Sequence, residues 1–317
     1  MIASTGIVLY PGKVVSGSFE AVLPIFAIGA LGYFFGKKNI FDNRSAFAIN
    51  KFVMLASVPA LCIHFLAKAP IKDFDLRLLG GYLLSEIVIY TAGFFLAKIV
   101  FNKSTIEALL IGLAVALTNH VLFVLPIAQE IFGDANVTTI VSIISMDGLL
   151  LFSVTIIVMD SITNKGKTIF DTVKKIVINP PLIGIALGFC ISLSKIELSN
   201  GVLVFLDQLG SSASPALLFS LGVILSSQKL DEFNKLVGLL TFIKLIAHPL
   251  LAWCFISLIF GHYPIEHKSA LMVAAAPCGV MSYMLALNYK VPVTVIAPII
   301  FYTSIGSLLT ISFVAGF

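Results

Sequence analysis

The chain has 317 residues, of which 59% are hydrophobic and only 11% charged, with a formal net charge of +4 and a mean hydropathy of +1.06. A soluble domain carries about 25% charged residues, so too little polar surface remains here to cover a water-exposed protein. A soluble enzyme, a nucleic-acid binder, a disordered chain and a disulfide-rich secreted domain are excluded, and an integral membrane protein remains.

A membrane-spanning helix needs about 20 mostly apolar residues. Ten such runs follow in chain order, near 18–36, 46–67, 77–101, 107–132, 137–160, 176–194, 202–226, 236–260, 268–289 and 292–315. They are too long, and alternate too little, to be barrel strands. The predicted fold is therefore an all-α polytopic membrane protein in a single membrane domain. The longest polar linker, Asp160 to Lys175, divides it near the middle. Cys62, Cys190, Cys254 and Cys278 each lie inside an apolar run without CxxC spacing, so neither a disulfide nor a zinc site is expected. No metal or cofactor is expected, and no cleavable signal peptide.

Lys and Arg set the orientation. The odd-numbered loops hold twelve (Lys37, Lys38, Arg44, Lys98, Lys103, Lys165, Lys167, Lys174, Lys175, Lys229, Lys235, Lys290). The N-terminus and even-numbered loops hold six (Lys13, Lys68, Lys72, Arg77, Lys195, Lys268). This predicts cytoplasmic odd loops and both termini extracellular or periplasmic.

The two halves repeat at an offset of 156: Pro24 matches Pro180, Ala30-Leu31-Gly32-Tyr33 matches Ala186-Leu187-Gly188-Phe189, and Pro59-Ala60-Leu61 matches Pro215-Ala216-Leu217. The repeats are predicted over 17–160 (spans 1–5) and 174–317 (spans 6–10). Five spans per half turn the second half upside down, giving an inverted repeat, which is a transporter architecture.

In such repeats the site tends to lie where matching helices are interrupted near mid-membrane. Span four carries Thr118-Asn119-His120 and then Pro126; span nine carries Pro277-Cys278-Gly279 and then Ser282-Tyr283. Proline removes a backbone donor and glycine loosens a helix. Two crossing breaks would aim half-helix N-termini, each partly positive, at one point, which favours an anion. A simple proline kink is the structural alternative.

Ionisable groups inside the membrane are functional candidates by default. Asp147 in span five carries a proton or cation, or else serves as a partner for His248 or Lys244. Glu86 and Lys244 occupy corresponding places in spans three and eight and are predicted to form a structural ion pair. His120 titrates near neutral pH or hydrogen-bonds across helices, whereas His64 and His248 are expected to be packed. Ser57, Ser282 and Tyr283 are possible carboxylate donors, although serine also packs between membrane helices. Gln129 lines the path or caps a half-helix, and Lys51 snorkels to the interface.

The chain resembles the auxin efflux carrier family, which includes plant PIN carriers and bacterial malonate and malate permeases. The stretches that carry the resemblance are Asn119 with Leu125-Pro126-Ile127, Asn179-Pro180-Pro181-Leu182-Ile183, Ser214-Pro215-Ala216-Leu217-Leu218-Phe219-Ser220-Leu221-Gly222, Lys244-Leu245-Ile246-Ala247-His248-Pro249-Leu250, and Ala276-Pro277 followed by Ala286-Leu287-Asn288-Tyr289. The resemblance implies a fold like that of sodium/proton antiporters and bile-acid carriers, with broken, crossing helices 4 and 9. It implies a scaffold of spans 1, 2, 6 and 7 and a transport unit of spans 3–5 and 8–10. An asparagine near the first crossover would help bind carboxylate. Asn119, Pro126 and Pro277 match those positions, while His120 stands where the family pattern has a small residue. A homodimer through the scaffold helices is compatible with the resemblance.

The expected function is secondary transport of small organic anions, mono- or dicarboxylates such as malonate, malate or an auxin-like acid, across a bacterial-type cytoplasmic membrane. The substrate site is expected at Asn119, His120, Pro126, Pro277, Gly279, Ser282, Tyr283 and Ser57. The alternatives are a sodium- or proton-coupled carrier of another solute and a cation antiporter of the same architecture. An intramembrane enzyme is disfavoured by the absence of HExxH and GxSxG, and a channel by the absence of a filter-like sequence.

Overall fold

The computed structural model describes residues 23–24, 27–69, 71–125, 127–128, 137–163, 174, 177–227, 235–263 and 268–316. Helices account for nearly all of them. Helix α1 covers 27–37, α2 Asn43–Lys68 and α3 Leu76–Val100. Helix α4 covers Thr105–Ala116 and α5 begins with His120–Val124. Next come α6 (Thr138–Thr163), α7 (Pro180–Ser194), α8 (Asn200–Ser227) and α9 (Lys235–Phe260). Helices α10 (Lys268–Ala275), α11 (Met281–Asn288) and α12 (Ile296–Gly316) complete the described chain. Among the described residues there is no strand, only one isolated antiparallel bridge, between Thr118 and Cys278.

By length and composition, six of these helices suffice to cross a membrane: α2, α3, α6, α8, α9 and α12. Helices α4 and α7 are shorter apolar helices. The fourth and ninth apolar runs are each divided, into α4 with α5 and α10 with α11. The chain is thus an all-helical polytopic membrane protein. Its outer surface fits a lipid solvent, with Leu258, Leu309, Phe313, Phe205 and Trp253 all at least half exposed.

Helix starts follow local chemistry. Asp42 accepts the Ser45 N–H at 2.8 Å and opens α2. Asp75 accepts those of Arg77 and Leu78 and opens α3. Ser104 accepts the Glu107 N–H at α4, the pairing of a capping box. Asn179 caps α7, and Pro180, which has no N–H to lose, takes its first position. Widened π turns at Val53–Ser57 in α2 and Ile243–Ala247 in α9 stand just before Pro59 and Pro249. A proline ring displaces the carbonyl four residues back, and a π turn accommodates that displacement.

The helices fall into two sets of neighbours. Helix α2 packs closely on both α7 and α8, and α1 lies against α8 through Gly32 and Gly222. In lipid, helices associate by tight packing rather than by expelling water, so small residues mark the contacts. A Cβ at Gly184 would lie 2.6 Å from Pro59 Cα, and one at Gly188 2.6 Å from Leu66 Cβ. The second set joins α3 with α4 and α9, α10 with α6, α9 and α12, and α11 with α4. The buried apolar clusters around Leu110, Ile300 and Ala274 lie mainly in it and reach across to Ala46 on α2 and Leu218, Leu221 and Ile224 on α8.

Candidate functional site

The two helix breaks meet. Leu117 leaves α4 in an extended conformation (φ −64°, ψ 123°). The Asn119 N–H donates to Pro277 O at 2.9 Å, and the Gly279 N–H to Leu117 O at 2.7 Å. Two irregular segments thus satisfy each other's backbone groups at a depth where water cannot. Gly279 permits the approach, because a Cβ there would lie 3.1 Å from both the Leu117 and Thr118 carbonyl oxygens. The first break lies at 117–119, ahead of Pro126, which falls outside the described residues, as does Gln129.

Side chains brace the crossover. The Cys278 N–H donates to Thr303 Oγ1 on α12 at 3.1 Å. Thr310 donates to Ala275 O at the end of α10 at 2.7 Å. Lys244, fully buried on α9, donates to Ala116 O at 3.3 Å and Thr118 Oγ1 at 2.5 Å, and contacts His248 Nδ1 at 2.9 Å. A cation here meets the partly negative C-terminal end of α4. The expected ion pair between Glu86 and Lys244 is not among the close ion pairs of the described residues; the Lys244 ammonium has three N–H groups and meets two crossover oxygens and His248. Neither Glu86 oxygen has a hydrogen-bond partner.

His120 and Asp147 form a close pair, Nε2 to Oδ2 at 2.8 Å. Asp147 therefore bonds to neither His248 nor Lys244. His248 is buried beside Tyr82, with ring centroids 5.8 Å apart, and His64 lies 3.9 Å from Asp207. Lys51 is exposed.

A cavity of about 70 Å³ opens on the crossover. Thr118, Asn119, His120, Asp147, Gly279 and Met281 line one side. Met54, Val58 and Cys62 of α2, Pro181, Leu182 and Ile185 of α7, and Leu217 of α8 line the other. The cavity thus lies between the two helix sets; its polar side chains, Thr118, Asn119, His120 and Asp147, are on the first side, beside the apolar Leu117, Ile144, Phe152, Val280 and Met284. Asn119 makes no side-chain cap bond to α5. Both α5 and α11 begin at the crossover, and a helix N-terminus carries partial positive charge.

The structure brings Asn119, His120, Asp147 and Gly279 together at the cavity, with Pro277 bonded just behind. The other expected donors are engaged elsewhere. Ser57 hydrogen-bonds Ser212 at 2.8 Å, Ser282 donates to Gly279 O at 2.8 Å, and Tyr283 packs in an apolar cluster. Sequence reasoning missed Thr118, Thr303 and Thr310. Thr118 stood beside Asn119 in an otherwise apolar run. The other two carried no signal, since a membrane-helix threonine ordinarily bonds its own backbone.

A family model described as membrane transport protein matches residues 18–315. A Rhizobium meliloti (strain 1021) protein named "Putative malonate transporter" is 23% identical over 279 residues, covering 85% of this chain and 86% of the relative. An uncharacterized transporter of Methanothermobacter thermautotrophicus is 23% identical over 302 residues, covering 93% and 96%. These are the names of transporters rather than enzymes. With nearly its whole length matched, and the motifs of the auxin efflux carriers in order along it, the chain belongs to this membrane transport protein family.

Proposed function

We propose that this protein is a secondary carrier of small organic anions, mono- or dicarboxylates, working by alternating access. The observation that carries the reading is the crossover at Thr118 and Cys278, with a small cavity at its polar face. An anion placed there meets the Asn119 amide and the partly positive N-terminal ends of α5 and α11. The amide suits this task because it binds a carboxylate without a fixed charge at mid-membrane, where a lysine would cost about 3 kcal/mol on insertion scales. The relative named for malonate agrees in substrate class.

In this reading the chain has ten spans in two inverted repeats, with both termini outside a bacterial-type cytoplasmic membrane. The α1, α2, α7 and α8 set is the scaffold, and the remaining helices form the transport unit. The packing of both α7 and α8 on α2 supports that division, as does the cavity lying between the sets. The wall formed by Met54, Val58, Leu182 and Leu217 gives the moving unit an apolar surface to slide along. No P-loop motif GxxxxGK[ST] occurs in the chain, so the driving force is a gradient or the membrane potential.

The test is uptake of labelled carboxylates into proteoliposomes, under proton, sodium and voltage gradients imposed separately. Saturable counterflow of a carboxylate is expected. Transport of an inorganic cation with no organic anion moved would overturn the reading.

A further inference from the structure

Behind the cavity lies a group of charges for which anion binding alone has no use. Glu86 on α3 is fully buried, and neither of its oxygens has a hydrogen-bond partner. It faces Asp147 on α6 and Lys244 on α9. Asp147 is equally buried; its Oδ2 meets His120, while its Oδ1 has no partner. Tyr82 on α3, His248 on α9 and Cys278 at the crossover are the other titratable groups around these charges. Two carboxylates facing each other in a low-dielectric interior, three of their oxygens unpartnered, cannot both hold full charge without a large penalty. A single proton held between them removes the conflict, and it then belongs to the pair rather than to either residue.

We propose that Glu86 and Asp147 form a proton-binding site that loads one proton together with each substrate monoanion. This rests on the carrier reading above and assigns its coupling ion. Asp147 and His120 both line the cavity, and their hydrogen bond gives a proton a route between cavity and pair. With one proton on the pair and His120 neutral, the remaining negative charge balances Lys244, so the wall that receives the anion is neutral. Without that proton, the wall carries one negative charge and repels the anion. Proton and anion therefore favour each other's binding. The empty deprotonated carrier and the fully loaded one bear the same charge, so a cycle moves one proton and one monoanion with no net charge.

The experiment uses the full chain in proteoliposomes containing a trapped pH dye, with radiolabelled pyruvate and malonate as probes. Counterflow at equal pH reads the carrier; accumulation driven by external acid reads the coupling. For pyruvate, accumulation is expected to rise about tenfold per unit of imposed pH difference, with internal acidification accompanying uptake. Glu86→Gln fixes the pair at one negative charge. It should keep counterflow, lose pH-driven accumulation, and make counterflow independent of pH; Glu86→Asp should retain the coupling. A residue that only supported packing would not separate these readouts. If Glu86→Gln fails to fold, the wild-type dye signal and Glu86→Asp decide. Counterflow without pH-driven accumulation in the wild type overturns the proton site and leaves the carrier standing. Absence of counterflow with both probes overturns the carrier reading for these acids, and this inference with it.

Discussion

At residue scale the site depends on which polar groups remain available once the crossover has satisfied itself. The backbone N–H groups of Asn119 and Gly279 do not remain, since each bonds a carbonyl of the opposite break. What Asn119 contributes is its side chain, which lines the cavity and makes no cap bond. Losing a hydrogen bond to a charged group costs about 1.5–3 kcal/mol, roughly ten- to hundredfold in affinity. Asn119→Ala should weaken carboxylate binding by that factor while the purified protein stays monodisperse; unchanged affinity in a binding titration would remove Asn119 from the site. Lys244 carries a different load. Lys244→Met leaves Ala116 O without its ammonium donor and should lower stability by at least about 1–3 kcal/mol, read as a drop in apparent melting temperature in detergent. The sequence displayed Glu86, Asp147, His120 and Lys244 as buried ionisable groups, but not their pairing. Pairing depends on how α3, α5, α6 and α9 approach one another, and matching positions in two repeats do not fix that approach.

At element scale, six predicted spans recur as helices long and apolar enough to cross a membrane, because apolar run length is a strong signal, and the interruptions were legible from Pro277, Gly279 and the polar string at 118–120. Placing the first break at Pro126 would have been less accurate. The chain leaves its helix at Leu117, where the opposite segment offers hydrogen bonds that a continuing helix would have made internally. Helix α2 has a π turn ending at Ser57 and α8 a turn at Ser212, shortly before Pro59 and Pro215, and the two serines bond each other. Close packing of α7 on α2 rests on Gly184 and Gly188. Gly184→Val would drive a branched side chain into the Pro59 backbone, and overpacking of this kind costs about 1–3 kcal/mol. The expected result is a lower melting temperature and poorer recovery of folded protein. Gly80, whose Cβ would meet nothing within 4 Å, is the control, and Gly80→Ala should be neutral or nearly so.

At the scale of the whole molecule, the cavity sits on the seam between two helix sets, and a carrier has to open that seam. Cys62 offers a native reporter. It lies on α2, lines the cavity opposite Asn119 and His120, and is only 7% exposed. In the packing seen here a maleimide has almost no access to it. If the seam opens during turnover, Cys62 should react slowly but completely, and bound carboxylate should slow it further by filling the cavity or holding the seam closed. Cys190 and Cys254 lie exposed on the apolar exterior, so both are changed to serine, and modification is followed on the Cys62 peptide by mass spectrometry. Cys278, fully buried at the crossover, should remain unmodified in the folded protein and marks any unfolding. A labelling rate for Cys62 equal to that of Cys278, with or without carboxylate, would mean that the seam does not open, and alternating access along it would fail. The direction of opening is readable in the same preparation. The excess of Lys and Arg in the odd loops predicts Lys165 on the cytoplasmic side, so Lys165→Cys should resist an impermeant reagent added outside intact cells. Cys62 should then be reached from outside in the outward-open form and from inside in the inward-open form. Reaction from one side only, under every gradient imposed, would reduce the molecule to a one-sided binding site.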